Sequence, residues 1–145
     1  MKKLTLTALS GLLFSLSAQA QVTIEAPWVR ATVLQQRVTG GYMQITSAQD
    51  ARLVEARSPL VGMIEIHEMK MDGDVMQMRA IDGLDLPAGK RVELKPNGYH
   101  LMLFKLKKII KDGESVPLTL IVEDKDKKRS EVQVTAIAKP LTASR

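Results

Sequence analysis

Apolar and polar positions alternate along the chain in short runs with a period of two, broken by clusters of turn residues. The alternation predicts strands at 22–30, 41–46, 52–56, 63–71, 75–80, 91–95, 99–106, 117–123 and 131–138. Between them lie "SAQD", "SPLVG", "DGD", "DGLDLPAG", "KPNG", "KDGES" and "DKDKKRS", all rich in the residues that favour turns. The best helical candidate, "LKKIIKDG", is short. Many short strands at near-regular spacing predict an all-β sandwich or small barrel.

Parity sorts the side chains of each strand onto two faces. In "MIEIHEMKM" the odd positions Met63, Glu65, His67, Met69 and Met71 share one face, and Ile64, Ile66, Glu68 and Lys70 share the other. An Asp-Gly turn follows, a strong hairpin signal, and the chain resumes as "DVMQMR". With Asp72 and Gly73 as the two loop residues, Met69 is expected opposite Met76, and His67 opposite Met78. In "YHLML" the same parity places His100 and Met102 on one face and Tyr99, Leu101 and Leu103 on the other. The turn "KPNG" puts His100 near a strand start. Neighbouring hairpins would let His67, Met78, His100 and Met102 converge.

The first twenty residues change the picture of where this happens. Lys2 and Lys3, an apolar stretch from Leu4 to Ser17 and the small-x-small sequence Ala18-Gln19-Ala20 read as a secretory signal peptide over 1–20. A β-domain over 21–138 and a short C-terminal tail over 139–145 are expected. The leader is too short for a transmembrane helix and no later run is long and apolar enough, so no membrane span is expected in the exported chain. Without the leader the formal net charge falls from +5 to +3. With a single Trp and basic residues scattered among acids, a nucleic-acid surface is not expected.

The chain has no cysteine, which removes disulfides, thiol catalysis and thiolate metal sites from consideration. Both of its histidines fall in the two stretches above, each with a methionine on its own face. Thioethers are soft donors and imidazole is borderline, so two of each suit Cu(I) far better than Mg, Ca or Mn. Methionine also ligates without releasing a proton, unlike cysteine. The alternative reading is packing, because methionine is a flexible core filler and a histidine at a strand end is commonly structural. Met43 and Trp28 read as core residues, and Glu65 and Glu68 as neighbours of the site or surface carboxylates. No paired nucleophile and base, and no phosphate-cradling glycine loop, suggests an enzyme.

The chain resembles the periplasmic copper chaperone family PCu(A)C. His67, ten residues, Met78, twenty-one residues and His100-Leu101-Met102 match the family's four-point spacing. The stretches "WVRAT", "GGYMQI", "EIHEMKMDGDVMQM", "LPAGKRVELKPNGYHLML" and "GESVPLTLIVE" are similar too, so the resemblance spans nearly all of 22–137. It implies a cupredoxin-like Greek-key β-sandwich holding one Cu(I) through His67, Met78, His100 and Met102; with the leader at 1–20, a monomer working in the periplasm is expected. It further implies delivery to a copper-accepting cytochrome c oxidase subunit, alongside a Sco-type thiol protein. Copper storage or resistance, and a structural or interaction sandwich without metal, are the competing functions. The tail "AIAKPLTASR" holds neither His nor Met, so it offers no second copper site of the kind some members carry.

Overall fold

A computed structural model describes residues 21–140 and Thr142. The leader read at 1–20, and all of the expected tail beyond Pro140 except Thr142, lie outside the described residues. The strands are β1 (Val22–Arg30), β2 (Val38–Ser47), β3 (Ala51–Arg57), β4 (Met63–Asp72), β5 (Val75–Ile81), β6 (Leu84–Leu86), β7 (Arg91–Leu94), β8 (His100–Phe104), β9 (Ser115–Asp124) and β10 (Arg129–Lys139). No α-helix forms among the described residues. The segment that could have been helical is instead a loop pinned by the fully buried Ile110, whose N–H donates to Thr32 Oγ1 at 2.9 Å.

The strands follow one hydrogen-bonded path, β5-β4-β8-β2-β1-β10-β9-β3-β6, with β7 also paired to β2. This path doubles over into two layers, and β1 is where it turns. Val22–Glu25 pair with β2; a bulge follows at Ala26 and Pro27, where Ala26 has φ 48 and Pro27 has no N–H to donate. Beyond it, Trp28–Arg30 run parallel to Ile137–Lys139 of β10 while Trp28 and Val29 still pair with β2. The non-consecutive neighbours give the expected all-β sandwich its Greek-key character.

The core lies between the layers, and it takes one parity of each strand, switching parity across the bulges of β1 and β3. Met43 and Ile45 of β2, Leu101 and Leu103 of β8 and Ile66 of β4 meet Leu53, Leu118 and Leu120 of the opposite layer. Met43 is core, as its apolar surroundings in the sequence predict. The other parity of β4, β8 and β2 therefore faces away from the core, and it carries His67, His100, Met102, Gly40 and Tyr42.

Several strand ends differ from the expected ranges, β2 opening at Val38 rather than at 41, and two departures have a clear local cause. "DGLDLPAG" reads as a connector, yet Leu84 and Leu86 are buried around an exposed Asp85 and pair with β3 as β6. At three residues, this strand is too short to leave an alternation signal. β8 ends at Phe104 rather than Leu106, where Lys105 takes φ 55 and turns the chain out of the sheet.

Candidate metal centre

The β4–β8 ladder sets His67 directly opposite His100 and Glu65 opposite Met102. His100 opens β8 immediately after a tight turn, closed by the Gly98 N–H on the Lys95 carbonyl and the Lys95 N–H on the Tyr99 carbonyl. That turn aims the Gly98 carbonyl back at the ring, and His100 Nδ1 lies 3.0 Å from it. A carbonyl only accepts, so Nδ1 carries the proton and Nε2 presents a bare lone pair. Facing it at 3.1 Å is the Met78 sulfur.

Met78 reaches that position by a register other than the one expected. Gly73, with φ 62, takes the first central position of the turn and Asp74 the second, so Asp72 stays in the ladder opposite Val75. Met71 consequently pairs with Met76, Met69 with Met78, and His67 with Ala80 rather than Met78. Positive φ is cheap at glycine and costly at aspartate, which places the turn one residue later than an Asp-Gly loop. The slip moves each partner by two residues, so face parity survives. Met78 still lies on the histidine face and extends across β4 to His100.

His67 sits behind His100, their ring centroids 5.6 Å apart. Its Nε2 lies 2.7 Å from Glu65 Oε2 and its Nδ1 is buried without a partner. The carboxylate accepts from Nε2, and in the neutral ring that arrangement makes Nδ1 the nitrogen with the free lone pair. Sequence parity places Glu65 on this face but carries no signal for the contact, which depends on rotamers. Rings close the floor of the site. Trp28 packs on Tyr42 at 4.4 Å between centroids, Tyr42 lies 6.5 Å from His100, and Phe104 lies 6.0 Å from His67. The single Trp is thus a packing residue one step removed from the histidines.

His100 is 6% exposed and His67 7%, whereas Met78 is 47% exposed. Burial is the main reason His100 binds a proton less readily than an ordinary histidine; His67 adds to this and the Gly98 hydrogen bond opposes it. A cleft of about 480 Å³ opens over this face, lined in part by Arg30, Tyr42, Met69, Met78, His100 and Met102. Three of the four sequence candidates share that wall, and His67 lies beneath it. Arg30, which stands 5.8 Å over the Tyr42 ring, was not singled out by the sequence pattern. Among the described residues no group of three or more His, Cys, Asp or Glu side chains could hold a metal ion. The donors gathered here are imidazole nitrogens and thioethers, which disfavours hard cations and suits a soft monovalent one.

A two-layer β-sandwich carrying imidazole and thioether donors on its outer face defines the class. The family described as "Putative lipoprotein LpqE-like" matches residues 22–134, and the chain belongs to it. A Rickettsia prowazekii protein, RP573, is 31% identical over 125 residues, covering 82% of this chain and 69% of that one. Among solved structures, Cu(I)-bound DR1885 of Deinococcus radiodurans superposes with a TM-score of 0.67 at 31% identity, over 88% of this chain and 85% of that chain. The copper-bound PCuAC domain of PmoF2 has the same fold, with a TM-score of 0.66 at 24% identity over 84% and 96% of the two chains. The PCu(A)C resemblance read from the residues is thereby borne out at the level of family and fold.

Proposed function

We propose that this protein is an exported Cu(I) chaperone that holds one ion through His67, Met78, His100 and Met102. The observation that carries this reading is the approach of His100 Nε2 to the Met78 sulfur at 3.1 Å. With Nδ1 protonated toward Gly98, both atoms present lone pairs and neither can donate to the other. A soft cation between such donors turns an unproductive contact into two bonds. The orphaned Nδ1 of His67 and the Met102 thioether on the same face supply the remaining donors. The copper named for the similar Deinococcus structure supports the same cargo.

Residues 1–20 act as the export signal, and the periplasm is the working compartment. There a thioether site has an advantage, because methionine cannot be trapped in a disulfide, although sulfoxide formation would disable it. Delivery to a copper-accepting cytochrome c oxidase subunit, with a Sco-type thiol protein in the same route, is the role proposed over storage. Transfer proceeds by ligand exchange. Incoming thiolate or imidazole displaces the exposed Met78 first, since a neutral thioether is the weaker donor and the histidines are buried.

An anaerobic Cu(I) titration against a chromogenic chelator, beside the His100→Ala/Met102→Ala double variant, tests the reading. One tight equivalent in the parent that is lost in the variant is the expected result, together with slower release from Met78→His. Failure of the parent to compete with the chelator would reduce the donors to packing and leave an interaction sandwich.

A further inference from the structure

The β4–β5 hairpin carries more thioethers than the proposed centre uses. Met71 pairs with Met76 and Met69 with Met78, two successive rungs entirely of methionine on the face that also carries His67. Directly opposed side chains on such a ladder have Cβ atoms about 4.5–5.5 Å apart, and successive same-face rungs are spaced about 6.6 Å. The outer rung is open to solvent, with Met71 54% and Met76 46% exposed. The opposite face of the hairpin is polar, with Arg79 Nε donating to Glu68 at 2.5 Å and the Gln77 amide donating to Asp72 at 3.3 Å. β5 is also the edge strand of its layer, a place where exposed apolar side chains are ordinarily avoided.

The inner rung joins the outer one to the histidines. Met69 and Met78 both line the cleft, and the Met78 sulfur is the atom that meets His100 Nε2. From the hairpin tip to His100 the face thus offers paired thioethers without interruption.

Resting on the chaperone reading, we infer that Met71 and Met76, with Met69 beside them, form a second and weaker site for a soft d10 cation, which loads the buried centre through Met78. The ion enters on the Met71–Met76 pair and exchanges onto Met69 and Met78 before reaching His100. Every donor on this route is neutral, so the ion moves with no proton released and no change of oxidation state. An exposed pair of thioethers exchanges ligands readily, whereas the two histidines are shielded from a carrier in solution. This division separates capture from retention.

The test is a titration of the protein, labelled with [13C-methyl]methionine, with Ag(I) as the redox-inert probe and then with Cu(I) under anaerobic conditions. The first equivalent is expected to move the Met78 and Met102 methyl resonances and the second to move Met71 and Met76. Met63, 42% exposed at the far end of β4, serves as the control. The Met71→Leu/Met76→Leu variant conserves volume on an exposed face and should keep the first equivalent while losing the second. Met71 and Met76 resonances that stay fixed in excess Ag(I), or that move only as much as Met63, would overturn the loading site. If instead Met71 and Met76 respond while Met78 and Met102 do not, the hairpin site stands and the chaperone centre falls.

Discussion

Removing the Glu65 carboxylate should cost metal affinity more than it costs the fold. Glu65 Oε2 accepts from His67 Nε2 at 2.7 Å, and the other ring nitrogen is already buried and unpaired. In Glu65→Ala the His67 ring loses the one hydrogen bond it makes among the described residues, and with it the contact that holds Nε2 as the donor and turns Nδ1 toward the site. A buried polar group left unpaired costs about 1–3 kcal/mol. The Glu65 side chain is 36% exposed, so water replaces part of that bond and about 1 kcal/mol of apo stability is the expected loss. Groups that hold a histidine ligand in place typically govern about 10–100-fold in metal affinity, which is about 1.4–2.8 kcal/mol. Glu65→Gln retains an acceptor oxygen and should lose less, since hydrogen bonds to neutral acceptors are about half as strong as those to carboxylates. Anaerobic Cu(I) competition for parent, Glu65→Gln and Glu65→Ala, paired with urea unfolding of the apo forms, separates the two effects. Parent-like Cu(I) affinity in Glu65→Ala, with only stability lowered, would refute a positioning role.

Further outcomes follow from the packing around the same face. Burial lowers the proton affinity of His100 below its ordinary value of 6.5, so below that pH the unfolded chain takes up a proton that the folded chain refuses. Apo stability is therefore complete above pH 6.5 and should decline as pH falls through it toward the depressed folded value; urea midpoints at pH 7.5 and 5.5 should converge in His100→Gln relative to the parent. Gly40 lies opposite Met102, and an added Cβ would meet the Tyr42 hydroxyl at a separation no real contact allows. Gly40→Ala should displace the Tyr42 ring from beside His100 and cost about 1–3 kcal/mol by overpacking, read by urea unfolding and by weakened Cu(I) competition. Leu103, fully buried on the opposite face of β8, should cost about 2–5 kcal/mol as Leu103→Ala while the first equivalent of Cu(I) still binds under folding conditions.

What the chain determines by itself is local and periodic. Alternation in β1, β4, β5, β9 and β10 was legible because each of those strands buries one parity and exposes the other, or leans on strong turn residues at its ends. Parity also set His67 on the face of its strand opposite Ile64 and Ile66, and His100 and Met102 on the face opposite Leu101 and Leu103, since that sorting needs only the pleat and not the partner strand. Pairing was a different matter. Whether Asp72 or Asp74 enters the Gly73 turn depends on a backbone angle at one residue, and the answer moved Met78 from His67 to Met69. The existence of β6 depended on β3 offering an edge to three residues too few to show a period. Glu65 on His67, Tyr42 beside His100 and Met78 across β4 are contacts between strands or between rotamers, and no spacing rule encodes them. Sequence periodicity reports which side of a strand each residue occupies because that follows from the chain's own geometry. The meeting of lone pairs at His100 and Met78 required the sheet order β5-β4-β8, which only the competition among strands for partners and for a shared core could decide.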